Sequence, residues 1–412
     1  MEHQQLIPHL FRTEYRKIIA VLCKMFGLEH IAIAEDIVSE TFLLAAETWG
    51  LKGLPKNPTA WLYTVSKNKA LDYLRRDTLF QTKIAPELNH TDEGHPETDI
   101  DLSNQNIIDS QLQMLFAICH PSISNESQIG LALNILCGFG AEEIADAFLT
   151  SKETIYKRLT RAKEKLRSEK IKIELPPPGD IESRLETVLS TLYLLFSEGY
   201  YSASQNTVLR KDLCIEAMRL MVMLTDHPLT CTPSGYALLS LMCYHASRFE
   251  ARTNQHGEII LYEDQDTSLW DKDLIAQGVN FLNRSAGGKQ VTRYHLEAAI
   301  AYWHTLKEDT HEKWENILQL YNRLLQMEYS PIAALNRTYT LSKANGKEEA
   351  IVEAEKLNLD ANHFYHSLLA NLYEDINPEK ELDHLQRAWT LARNTNDKSL
   401  LAKKISSAIG RK

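Results

Sequence analysis

The side chains best placed to do chemistry are cations and hydroxyls spaced to meet an anionic polymer. In Glu142-Glu-Ile-Ala-Asp-Ala-Phe-Leu-Thr-Ser-Lys-Glu-Thr-Ile-Tyr-Lys-Arg-Leu-Thr-Arg-Ala-Lys-Glu-Lys-Leu166, a short amphipathic helix, a turn and a longer helix follow one another. On the second helix Ile155, Leu159, Ala162 and Leu166 share one stripe at helical spacing and should pack inward. Thr154, Lys157, Arg161 and Lys165 lie opposite them, with Arg158 at the flank. Lysine and arginine neutralise phosphates, and threonine and arginine reach base edges, so this face suits a DNA major groove. Small Ala145 permits close helix crossing, and Thr150 with Glu153 reads as a capping box for the second helix. The plainer reading is a surface helix with solvated lysines. Cap, turn and charge excess together favour a helix-turn-helix over it.

A second constellation lies on a helix expected from Pro58 to Thr78, where Asn57 suits the N-cap and Pro58 the first helical position. Trp61, Val65, Asn68, Asp72 and Arg75/Arg76 share a face that starts apolar and ends polar and basic. Asp72 and Arg76 stand four apart in the order that favours pairing. Such a face can pack at one end and meet nucleic acid at the other. A half-exposed core helix explains it equally well.

The elements that must position these faces are helical almost throughout, since no alternating strand pattern runs far. The fold class is therefore all-α. Residues 52–83 hold seven Lys/Arg against two Asp/Glu, and residues 152–172 hold nine against three. Between them, residues 87–109 hold seven acids and no Lys or Arg. Two basic blocks thus flank an acidic tether, which the net charge of −10 conceals. The expected domains are residues 1–80, a flexible acidic linker at 81–106, the helix-turn-helix block at 107–173, and a helical extension at 180–412. Three consecutive prolines, Pro176 to Pro178, mark the last boundary because they cannot continue a helix. Near the end, Tyr339 and Tyr373 stand 34 residues apart, the tetratricopeptide period.

Several function classes fall away. The six cysteines form no C-x-x-C pair and read as reduced core thiols, and Cys119-His120 lacks partners at ligand spacing. No metal or cofactor is called for. No signal peptide is read at the start, and the longest uncharged stretch, residues 227–247, contains Pro228, Pro233 and Gly235. A membrane span needs about 20 mostly apolar residues, so none is expected and the protein is read as cytoplasmic. The extension holds His245, His256, His295 and His304 with carboxylates such as Glu198, Asp264 and Asp266, but no G-x-S-x-G, P-loop, G-x-G-x-x-G or H-E-x-x-H. Catalysis is not expected. The segment from Leu261 to Asp266 is polar enough to line a ligand pocket.

Ala34-Glu-Asp-Ile-Val-Ser-Glu-Thr-Phe-Leu43, then Pro58-x-x-Trp-Leu62 and Asn68-x-x-x-Asp-x-x-Arg-Arg76, resemble region 2 of extracytoplasmic-function sigma factors of bacterial RNA polymerase, and the helix-turn-helix resembles region 4. Phe196-Ser-Glu-Gly-Tyr200, Leu261-Tyr-Glu-Asp-Gln-Asp266, Trp270-Asp271 and Ala334-Leu-Asn-Arg337 are similar to the subfamily with a long helical, tetratricopeptide-like C-terminal extension. The resemblance implies that Glu35, Asp36, Glu40 and Phe42 dock on core RNA polymerase, whose partners would be its beta-prime and beta subunits. Ser39 stands where the family commonly has Gln. It also implies that Trp61, Asn68, Asp72, Arg75 and Arg76, with the preceding loop, open and read the promoter −10 element, a base being extruded beside that loop. Thr154, Lys157, Arg158, Arg161 and Lys165 would read the −35 element. The acidic linker would thread a basic polymerase channel or serve as a solubilising tether, and the extension would take a regulatory protein or ligand. A helix-turn-helix regulator acting without polymerase is the second reading, but it leaves the first block without a role.

Overall fold

A computed structural model describes residues 3–84, 100–148, 150–201, 210–254, 260, 262–288, 290–392 and 395–410. Among these the fold is all-α, eighteen helices joined by turns with no strand. Packing divides the chain into two compact units, residues 1–194 and 195–412.

The first unit contains α1 (His3–Phe26), α2 (Ile31–Lys52), α3 (Pro58–Ile84), α4 (Asn104–Ile118), α5 (Asn125–Leu131), α6 (Ala141–Phe148) and α7 (Lys152–Ser168). Ile18, Ile19, Leu22 and Cys23 of α1 are fully buried, and α1 packs against α2, α3 and α4. Gly53 ends α2 with φ 82°, in the left-handed region, and its N–H bonds the Trp49 carbonyl at 3.1 Å. Asn57 caps α3 as expected, its Oδ1 accepting from the Ala60 N–H at 3.0 Å. The helix runs to Ile84, further than Thr78, and α4 begins at Asn104 behind a Ser103 cap. Helix therefore takes both margins of the expected linker, and residues 85–99 lie outside the described residues.

One local expectation is corrected. The cap of α7 is Ser151, whose Oγ accepts from the Thr154 N–H at 3.2 Å, rather than Thr150. Adjacent hydroxyl residues offer the same chemistry, and Ser151 is the one whose partner three residues on, Thr154, returns a hydroxyl contact at 3.0 Å.

The three prolines separate α7 from α8 (Ile181–Tyr201), yet the first part of α8 packs with the first unit. Leu185, Val188, Leu189 and Leu192 are buried, the Arg184 guanidinium donates to the Phe116 carbonyl at 2.6 Å, and Thr191 Oγ1 donates to Gln128 Oε1 at 2.7 Å.

The second unit holds the end of α8, then α9 (Lys211–Asp226), α10 (Pro233–Ala246), α11 (Lys272–Ser285), α12 (Arg293–Trp303), α13 (His311–Met327), α14 (Pro331–Ala344), α15 (Lys347–Glu355), α16 (His363–Tyr373), α17 (Pro378–Leu391) and α18 (Thr395–Gly410). From α9 onward, neighbours in sequence are mostly neighbours in space. Three starts share a cap-then-proline pair: Thr232-Pro233, Ser330-Pro331 and Asn377-Pro378. Tyr339 and Tyr373 occupy α14 and α16, and both pack on one apolar cluster with Leu335, Leu369 and Leu372.

Helix crossing in this unit depends on missing side chains. A Cβ at Gly199 would stand 2.7 Å from Cys214 Sγ and 2.8 Å from the Arg210 carbonyl. The opposing atom is backbone, so the contact cannot relax by a rotamer change. Gly199→Ala should lower stability by about 1–3 kcal/mol, read as an earlier unfolding midpoint in guanidinium. An unchanged midpoint would show that α8 and α9 have room to separate.

His304, at the end of α12, is held neutral: burial, then the charges of Arg248 and Lys313, pull its pKa down to about 3. A folded-state value below the unfolded one means that protons bind the unfolded chain better. The contribution of neutral His304 is therefore present above about pH 6.5 and is lost as pH falls toward the folded value. Unfolding midpoints of wild type and His304→Phe measured from pH 7 to pH 4 should converge with acid, by up to about 1.4 kcal/mol per pH unit. Parallel curves would mean that His304 titrates alike in both states.

Candidate nucleic-acid interface

Helix α7 sorts its residues by face. Ile155, Leu159, Ala162 and Leu166 are buried against α5 and α6, and Gly130 of α5 lets the Leu159 side chain approach within 3.3 Å of where a Cβ would sit. Thr154, Lys157 and Arg161 are consequently exposed and Arg158 is half-buried at the flank. Lys165 is exposed and paired with Glu169 at 2.7 Å. Among the described residues Lys157, Arg158 and Arg161 make no ion pair, whereas Lys152 pairs with Glu142 and Lys163 with Glu35. Thr154, Lys157, Arg158 and Arg161 line one open cleft of about 360 Å³ together with Ser127 of α5. Three unpaired cations converging on one cleft form an anion-binding surface.

Sequence reasoning missed two residues here. Ser127 comes from α5, and only tertiary packing brings it beside α7. Tyr156 is 67% exposed on α7, an aromatic ring on the outward side of a basic helix. Its position after Ile155 in the inward stripe was the signal that could have found it.

The face of α2 is acidic with an apolar centre. Asp36 and Glu40 are exposed, and Leu43, not singled out from the sequence, is 61% exposed on the same side. Glu40 bonds Lys69 of α3 at 2.6 Å. Phe42 instead points inward, 4% exposed and edge-on to Phe11 at 5.0 Å, so in this conformation it packs α2 on α1.

On α3, Asn68, Asp72, Arg75 and Arg76 are exposed and Trp61 is half-buried against Trp49, ring centres 5.4 Å apart. Asp72 pairs with Arg75 at 3.8 Å, three residues on, and not with Arg76 as expected. Positions three and four apart are both neighbours on a helix, and at this exposure neither pairing gains much. Arg76 is left facing solvent.

The structure joins two residues the sequence kept apart. Lys163 of α7 donates to Glu35 of α2 at 2.5 Å, both side chains about one-fifth to one-quarter exposed. At the other end of the same packing, Arg12 of α1 meets Glu143 of α6 at 3.3 Å. One carboxylate of α2 is thus occupied by the back of the helix whose front carries the cationic cleft.

Residues 10–79, from α1 to most of α3, match sigma-70 region 2. The chain belongs to one family with an uncharacterized protein of Rhizobium meliloti (strain 1021), which is 32% identical over 374 residues, 89% of this chain and 88% of that one. Residues 184–286 match a family of unknown function, DUF6596. No solved structure matches the chain. No helix among the described residues is long and apolar enough to cross a membrane.

The Glu35–Lys163 pair is shielded enough to reach the upper end of what surface pairs contribute. A double-mutant cycle of Glu35→Gln and Lys163→Met, read by chemical unfolding, should give a coupling of about 1 kcal/mol that shrinks in high salt. Additive single effects would reduce the contact to an incidental one.

Proposed function

We propose that this chain is a promoter-selecting sigma factor of the extracytoplasmic-function type. It binds core RNA polymerase through α2, reads the −10 element with α3 and the loop before it, and reads the −35 element with α7. The observation that carries this reading is the cleft where Lys157, Arg158 and Arg161 converge unpaired on Thr154 and Ser127, in one compact unit with a sigma-70 region 2. Phosphates would neutralise the cations, and threonine and arginine would meet base edges. The exposed stripe of Asp36, Glu40 and Leu43 offers charge for orientation and apolar area for docking on polymerase. The C-terminal helical unit, tetratricopeptide-like in the alternation of α14 to α17, acts as a covalently attached modulator. The chain is not an enzyme in this reading and works in the bacterial cytoplasm.

Run-off transcription with purified core polymerase tests it. Arg161→Ala should cost about 1–3 kcal/mol of promoter affinity while leaving stability unchanged, because the side chain faces away from Ile155 and Leu159. Asp36→Arg should abolish capture by core polymerase, whereas Thr154→Ala and Arg158→Ala should still be captured and fail at the promoter. Wild-type capture by Asp36→Arg would remove Asp36 from the interface. Tight operator binding without polymerase would replace the sigma reading by a helix-turn-helix regulator.

A further inference from the structure

The second unit gathers three cations around one tyrosine, of which Lys307 is exposed. The Arg248 guanidinium lies 5.5 Å from the centre of the Tyr262 ring, Lys307 Nζ 5.1 Å and Lys313 Nζ 5.4 Å. Trp270 and His304 flank the same ring, with centres 6.1 and 5.2 Å away. Arg248 also stands 6.0 Å from the Trp270 ring. Lys313 is only 2% exposed, and Arg248 is half-buried. Among the described residues none of the three cations makes an ion pair. The nearest acids, Glu263 and Asp309, are drawn instead to Lys343 at 3.4 and 4.0 Å.

Part of this arrangement is structural. Lys307 donates to the carbonyls of Tyr262 and Glu263 at 2.9 Å, and Lys313 donates to the Leu306 carbonyl at 2.5 Å and to the Tyr262 hydroxyl at 3.2 Å. Those bonds satisfy donors; Lys307 keeps contact with water, whereas burial costs the Lys313 charge and Asp309 offsets part of that cost. Arg248 differs, because among the described residues its one hydrogen bond is a long one to the Tyr200 hydroxyl at 3.4 Å, which leaves most of its donor fork unspent there. Near it, among the described residues, Trp270 Nε1, on a side chain 6% exposed, and His304 Nδ1 are buried without hydrogen-bond partners, as is Gln265 Oε1 in the turn that follows Tyr262. Buried polar atoms without partners are rare in folded proteins, and several in one place call for an occupant.

We propose that Arg248, Trp270, His304 and Gln265 form a receptor site for a small hydroxylated oxyanion, a molecule of the class of sugar phosphates and sugar acids. Arg248 and the Trp270 N–H hold the phosphate or carboxylate, whose charge offsets the three cations. A hydroxyl of the ligand satisfies Gln265 Oε1, and the Tyr262 and Trp270 rings cover its C–H face. Neutral His304 accepts from or donates to a second hydroxyl, according to its tautomer. This site lies wholly in the second unit and stands independently of the transcription reading.

Calorimetry and intrinsic tryptophan fluorescence of the full chain, titrated with ribose 5-phosphate, gluconate, inorganic phosphate and ribose, decide the matter. Saturable binding of ribose 5-phosphate or gluconate is expected, and which of the two binds more tightly distinguishes phosphate from carboxylate. Ribose should not bind, and inorganic phosphate only weakly. Arg248→Gln should weaken binding at least about tenfold. Trp270→Phe, which keeps a ring and removes the N–H, should weaken it by a smaller factor and decides the case if Arg248→Gln proves unfolded by circular dichroism. Absence of saturable binding by either charged sugar up to about 10 mM overturns the proposal. So does binding that is unaltered in Trp270→Phe and in a folded Arg248→Gln.

Discussion

The first unit depends on the burial of one helix. α1 places Ile18, Ile19, Leu22 and Cys23 at zero exposure, with α2 and α3 among its neighbours and α4 also against it. Each large apolar side chain so buried contributes about 1.5–3 kcal/mol, whereas the exposed ion pairs around it contribute at most about 1 kcal/mol each. Packing on α1 therefore makes α1 to α3 and the helical block that begins with α4 a single core. The polar contacts between α2 and α7, and between α1 and α6, adjust a geometry that apolar burial has already set.

The outer chemistry of α7 follows from the same rule. Because four apolar residues are drawn inward, the cations interleaved with them must face out. Sites with a nearby carboxylate, such as Lys152, Lys163 and Lys165, become ion pairs. Lys157, Arg158 and Arg161, which form no ion pair among the described residues, gather at the cleft. A counter-ion supplied by another molecule can settle there without first displacing an internal partner.

In the second unit the balance is reversed, and cations are taken inside. Close crossings at Gly199 and Gly278 bring helices together where a methyl group would collide with Cys214 and with the Tyr244 ring. Within that packing, Arg248 and Lys313 stand beside aromatic faces, burial pulls the Lys313 pKa down, and burial holds the neighbouring His304 neutral. Cation–π contact returns about 0.5–2 kcal/mol per pair, less than the desolvation of a fully buried ion.

Helix type, the inward stripe of α7, the Asn57 cap and the basic character of the outward face were legible from the residues alone. They are local properties, written in a period of 3.6 residues and in the hydrogen-bonding reach of one side chain. Thr150 and Ser151, or Arg75 and Arg76, are neighbours of like chemistry, so spacing could not choose between them and local geometry did. The proline run announced where a helix must stop, but not that the first part of α8 would pack with the first unit, because a core closes on apolar area wherever the chain supplies it. The partner of Glu35, the entry of Ser127 into the cleft, the inward turn of Phe42 and the convergence of Arg248, Tyr262, Trp270 and His304 were decided by tertiary structure alone. Each joins residues from separate elements, and no periodicity along a chain records which helices will meet.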